Sequence, residues 1–116
     1  MVSKEATEIS KEFLKLKKFD CIVVNFNTNR PVKHRSIQKL TDHIIIGKEA
    51  IYFIEVKLKS TKDQYKEHQR AVKTKLDNLA KKCSCIYSFE CISLVDAKYI
   101  TNIIAEFEKE KICYGV

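Results

Sequence analysis

Apolar positions recur along the chain with two different periods, and each change of period marks a new element. Ala6, Ile9, Phe13 and Leu16 fall at helical spacing within residues 3–18, with Ser3 placed as a cap, so the spacing predicts an amphipathic helix. Cys21 to Phe26 is short and β-branched and reads as a strand. Asn27 to Lys39 holds Pro31, several Asn and basic residues, and reads as a long exposed loop of the kind that often carries function. Leu40 to Ile46 and Ala50 to Leu58 are strand patterns joined across Gly47-Lys48-Glu49, which predicts a hairpin. From about Thr61 to Lys82 the period becomes 3.6, with Tyr65, Val72, Leu76 and Leu79 on one side and Lys62, Lys66, Arg70 and Lys73 on another. Cys83 to Val95 returns to β character, as one strand or two. Asp96 is then placed to cap a last helix whose apolar stripe is Ile100, Ile103, Ile104 and Phe107.

The resulting order, α-β-β-β-α-β-α, predicts an α/β fold with a mixed central sheet flanked by helices. Its 116 residues allow one domain, residues 1–116. Lys and Arg outnumber Asp and Glu by 22 to 15, a net charge of +7 that favours a polyanionic partner. No apolar run approaches the ~20 residues of a membrane span, so no membrane partner is expected. Residues 1–20 are charged and amphipathic with no apolar centre, unlike a secretory signal, which makes the cytoplasm the expected compartment. Five cysteines (Cys21, Cys83, Cys85, Cys91, Cys113) lack C-x-x-C spacing; they suit small buried hydrophobes better than a zinc site, although Cys83 and Cys85 would share one face of a strand.

Candidate chemistry sits in the hairpin. Glu55 and Lys57 are at i and i+2 of an apolar strand and share a face, while Tyr52, Ile54, Val56 and Leu58 form a continuous apolar face opposite. A turn at Lys48-Glu49 pairs Ile46 with Ile51, Ile44 with Phe53 and Asp42 with Glu55. Directly opposed Cβ atoms lie roughly 4.5–5.5 Å apart, near enough for two carboxylates to share a divalent cation, and without one they repel. Hard oxygen ligands suit Mg²⁺ or Mn²⁺ rather than zinc. A Glu-x-Lys triplet by itself is common and equally describes a solvated pair with Asp42 as an incidental neighbour.

Asp42, twelve residues, then Glu55-Val56-Lys57 resembles the PD-(D/E)xK nuclease motif. The resemblance covers roughly residues 5–95 and implies a restriction-endonuclease-like sheet. Within that superfamily the short chain, the Phe53-Ile54-Glu55-Val56-Lys57 strand and a Gln on the following helix are most similar to small virus-type VRR-NUC nucleases, with archaeal-type Holliday-junction resolvases second. By this resemblance Asp42, Glu55 and the Val56 carbonyl hold the metal and Lys57 is catalytic. Gln69 takes the helix polar role, with Gln64 a weaker candidate, or is an amide at the core edge. Glu12, with Glu8 next, takes the role of a first-helix acid or makes ordinary salt bridges. Thr41 replaces the motif's proline. His43 stands where an aliphatic residue is usual, and the register turns it away from the metal towards a buried, neutral position.

The resemblance implies an Mg²⁺- or Mn²⁺-dependent endonuclease that hydrolyses DNA, branched or flap structures among its substrates, and leaves a 5′-phosphate and a 3′-hydroxyl. It extends the compartment to a nucleoid or nucleus where viral or host DNA is repaired or recombined. Lys62, Lys66 and Arg70 on the basic helix, with Lys73, and Arg30, Lys33, His34, Arg35 and Lys39 in the long loop, would neutralise phosphates without reading sequence; Arg35 is the preferred single contact. Relatives with this minimal core often dimerise, and Cys91–Val95 with the last helix offers apolar surface for a homodimer. Two other readings stand beside the deoxyribonuclease: a catalytically silent nucleic-acid-binding or regulatory module on the same fold, and a toxin-like or defence-related RNase.

Overall fold

A computed structural model of the chain describes residues 4–25, 41–60, 62, 65 and 67–110. The expected loop, with Arg30, Lys33, His34, Arg35 and Lys39, lies outside the described residues, as do Gln64, Lys66 and Cys113. The elements are helix α1 (Lys4–Leu14) running into a 3₁₀ turn (Lys15–Phe19), strands β1 (Ile22–Asn25), β2 (His43–Ile46) and β3 (Ile51–Val56), helix α2 (Glu67–Lys82), strand β4 (Ile86–Cys91) and helix α3 (Leu94–Glu110). Asp20, in the left-handed region at φ 63°, ends the 3₁₀ turn by donating its N–H to the Lys17 carbonyl at 3.0 Å.

The strands form one four-stranded sheet in the order β1-β2-β3-β4, the first three antiparallel and β4 parallel to β3. A parallel neighbour needs a crossover, and α2 supplies it. Alternation assigns the layers. Tyr87 on β4 contacts Phe107 of α3, whereas the neighbouring Ser88 accepts a hydrogen bond from Lys73 of α2. Helices α1 and α3 therefore cover one face of the sheet and α2 covers the other. The core lies on the α1/α3 side, where Ile9, Phe13, Leu16, Ile45, Tyr52, Ile54, Cys91, Ile100 and Ile104 are buried together. Each such side chain contributes about 1.5–3 kcal/mol by leaving water.

The hairpin register matches the pattern expected from the turn: His43 with Ile54, Ile44 with Phe53, Ile45 with Tyr52 and Ile46 with Ile51. Gly47 N–H closes the turn on the Ala50 carbonyl at 2.8 Å. Glycine is required there because a Cβ would occupy the space of the Glu108 carboxylate.

Three local expectations are corrected. Helix α2 starts at Glu67, so Tyr65 and Lys62 precede it, and Leu79 is exposed while Leu76 is the buried residue of its stripe. Cys83 and Cys85 lie before β4 rather than alternating along it, and the four described cysteines are free thiols. Helix α3 begins two residues before Asp96. Its cap is Ser93, whose Oγ accepts the Asp96 N–H at 3.4 Å, while the Asp96 carboxylate reaches back to the Ile92 N–H at 3.0 Å, a variant of the capping box. None of the described helices is long and apolar enough to cross a membrane.

Candidate active site

Asp42 immediately precedes β2, one rung beyond the His43–Ile54 pair, which puts it level with Glu55 on β3. Its Oδ2 accepts the Val56 N–H at 3.1 Å, so the carboxylate reaches across to the neighbouring strand's backbone. Thr41, buried just before it, donates its hydroxyl to the His43 carbonyl at 3.0 Å and holds the approach to β2. Val56 itself points its side chain into the core.

Glu55 is 4% exposed. Burial, then the charge of Asp42, pushes its carboxyl up to about 8; Lys57 partly offsets this, while a hydrogen bond with Asp42 adds to the rise. Lys57 Nζ is 3.8 Å from Glu55 Oε1, beyond a hydrogen bond, and that buried oxygen has no hydrogen-bond partner. The ammonium also lies 5.4 Å from the centre of the Tyr65 ring, a cation–π contact. Two carboxylates and one amine are thus gathered on the α2 face, away from the core. Left without added positive charge, the acid pair retains a proton.

The other sequence-derived candidates differ in burial and in partners. Gln69 is half-buried in the first turn of α2. Glu12 is half-buried on α1 and pairs with Lys15 at 2.9 Å, the ordinary salt bridge that its spacing allows. Arg70 is exposed on α2, and Lys62 is exposed in a turn at φ 55°, its N–H donated to the Lys59 carbonyl at 3.2 Å. Lys73 bonds Asp77 at 2.5 Å and Ser88 at 3.0 Å, so it ties α2 to β4. His43 is buried on the core side, its ring against Phe13 at 4.9 Å, and burial pushes it down to about 4: it is neutral.

Two residues were missed. Glu90 is the register partner of Glu55 on β4, on the same face and exposed. Tyr65, read from the sequence as part of a helical stripe, instead lies under Lys57 with its hydroxyl buried. Burial, then the charge of Glu90, drives that hydroxyl's acidity down. The alternation of Ser88 and Glu90 along β4 was a readable signal; the pairing of β4 with β3 was not.

Among the described residues no group of three or more His, Cys, Asp or Glu is arranged to hold a metal ion. The fit to a cation rests on Asp42 and Glu55, and specifically on the buried, unpartnered Glu55 oxygen. In comparisons with protein-family models, curated proteins and solved structures, nothing matches this chain.

Proposed function

We propose that this chain is a divalent-cation-dependent endonuclease that hydrolyses phosphodiester bonds of DNA, on the PD-(D/E)xK plan its sequence resembles. The observation that carries the reading is the buried Glu55 carboxyl, level with Asp42, raised to about 8 and left with an oxygen that no donor satisfies. Such a pair is short of positive charge. A mixed four-stranded sheet in the order α-β-β-β-α-β-α is compatible with the restriction-endonuclease-like plan.

Mg²⁺ or Mn²⁺, when bound, would supply Lewis-acid polarisation of the phosphate and a more acidic water. Asp42 and Glu55, with the Val56 carbonyl, are the residues that would hold it. Glu55 would hold the ion as a carboxylate, its buried, unpartnered oxygen being the one short of positive charge. Lys57, held by the Tyr65 ring, orients the attacking water or stabilises charge developing on the phosphoryl oxygens. Gln69 would support the site from α2. Arg70 and Lys62, both exposed, would meet backbone phosphates, together with Arg30, Lys33, Arg35 and Lys66. DNA as the partner, branched or flap substrates, a homodimer and a cytoplasmic, nucleoid or nuclear site of action belong to the same proposal.

The test is a panel of labelled linear, nicked, flapped and four-way DNA incubated with Mg²⁺ or Mn²⁺. Cleavage should be abolished by chelator and lowered about 10³-fold by Asp42→Ala. Lys57→Ala should suppress turnover with little loss of binding; collapse of affinity would make the lysine a phosphate anchor instead. Binding without cutting of any substrate would make the chain a silent nucleic-acid-binding module, and a preference for RNA would make it an RNase.

A further inference from the structure

A cavity of about 250 Å³ opens between α2 and β4, lined by Tyr65, Arg70, Lys73, Thr74, Asp77 and Glu90. It adjoins the acidic pair from two directions: Glu90 is the register partner of Glu55, and the Tyr65 ring lies under Lys57. We propose that this cavity receives a single unpaired nucleobase through its amino-bearing edge, guanine best and thymine worst, beside the phosphodiester addressed by Asp42, Glu55 and Lys57. Its place beside a scissile bond rests on the nuclease reading; its chemistry as a pocket does not.

The lining argues against a phosphate and for a neutral planar group. Arg70 and Lys73 are balanced by Asp77 and Glu90, and Lys73 with Asp77 already forms an ion pair at 2.5 Å. A dianion entering such a site gains no net attraction and meets two carboxylates at close range. The remaining chemistry suits a base. Tyr65 offers an aromatic wall, and aromatic stacking is how proteins hold bases that have left a duplex. Its hydroxyl is buried beside the Glu90 carboxylate, so the ring and the carboxylate belong to one wall of the cavity.

Glu90 sets the order of preference. A carboxylate accepts two parallel N–H bonds from the guanine N1 and N2 edge and one from the amino group of cytosine or adenine. Thymine presents a single N–H between two carbonyls, whose oxygens would face the carboxylate. Arg70 and Thr74 line the same cavity and carry donors that the guanine O6 can accept, Arg70 then serving the base instead of a backbone phosphate. The consequence for the substrate is a requirement for at least one unpaired nucleotide near the cut, met at a flap or branch point and absent from an intact duplex.

The test uses the full chain, labelled with ¹⁵N and kept free of divalent cations, titrated separately with deoxyguanosine monophosphate, thymidine monophosphate and inorganic phosphate. Amide shifts at Tyr65, Arg70, Thr74 and Glu90 should saturate with the guanine nucleotide, with thymidine monophosphate weaker by about tenfold and phosphate inert. Glu90→Gln, at an exposed position, should lower guanine affinity about tenfold and bring the two nucleotides close to parity; Arg70→Ala should weaken guanine binding without equalising them. Equal responses to phosphate and the guanine nucleotide, or an unchanged preference in Glu90→Gln, would overturn the proposal. Guanine-selective binding by a chain that cuts no DNA would support the pocket and overturn the nuclease reading alone.

Discussion

The β2–β3 hairpin meets a buried glutamate at each end, and the two are treated in opposite ways. At the turn, Glu108 of α3 is fully buried, yet Oε2 accepts the Tyr52 hydroxyl at 2.8 Å, Oε1 accepts the Lys48 N–H at 2.9 Å, and Gly47 leaves room for the carboxylate. At the open end, Glu55 is almost as deeply buried but faces another carboxylate, and one of its oxygens has no donor. Removing a carboxylate from water costs several kcal/mol unless donors replace the lost hydration. The fold supplies a donor to each oxygen of Glu108 and leaves one oxygen of Glu55 without any. The first is therefore a clamp that fastens α3 to the hairpin, and the second is a site poised for positive charge.

The strongest way to break this contrast is to remove the clamp. Glu108→Ala would leave the Tyr52 hydroxyl and the Lys48 N–H without their acceptor and open a void at the end of α3. Urea denaturation at pH 7 should show a loss of about 4 kcal/mol. A loss under about 1 kcal/mol would mean that water can replace the carboxylate as acceptor, and Glu108 would not be a structural anchor.

The buried His43 of the hairpin sharpens the comparison through pH. His43 has its folded value pushed down to about 4 from 6.5 by burial, with an unpartnered Nδ1 and the Phe13 ring beside it. Between those values the unfolded chain binds a proton that the folded chain refuses. The stability His43 permits is therefore complete above pH 6.5 and is lost as pH falls through about 4, in all about 3 kcal/mol. His43→Leu should flatten stability across that window; a slope unchanged by the substitution would show that another group is responsible.

Much of this hairpin was legible in advance because strand alternation and a short turn leave little freedom in register. The turn length fixed Ile46 opposite Ile51, and parity then placed Asp42 with Glu55 on one face and His43 on the other. Glu108 was not legible. Its role depends on α3 crossing the hairpin turn, and in sequence it is one more acid on an amphipathic helix, sixty residues from Lys48. Tyr65 failed for a related reason: it continues the 3.6 period of α2 but stands before the helix begins, where a cation–π contact with Lys57 places it. Glu90 was hidden by topology, since local pattern does not say that β4 runs parallel beside β3. Contacts set by one turn can be read from the chain, whereas contacts set by the docking of a distant helix or strand cannot.

The smallest expected effect tests the poised site directly. Because the Glu55 carboxyl is raised, its favourable contribution is complete below its unfolded value near 4.5 and is lost as pH rises through about 8. Glu55→Gln keeps the shape and removes the charge, so at pH 9 and without divalent cations the variant should be more stable than the parent by about 2 kcal/mol, Lys57 having absorbed part of the penalty. Adding Mg²⁺ at that pH should raise the parent's melting temperature and leave the variant's unchanged. Were Glu55→Gln to destabilise the chain at pH 9, or were Mg²⁺ to stabilise both proteins equally, Glu55 would be a satisfied group like Glu108, and the two ends of the hairpin would be doing the same job.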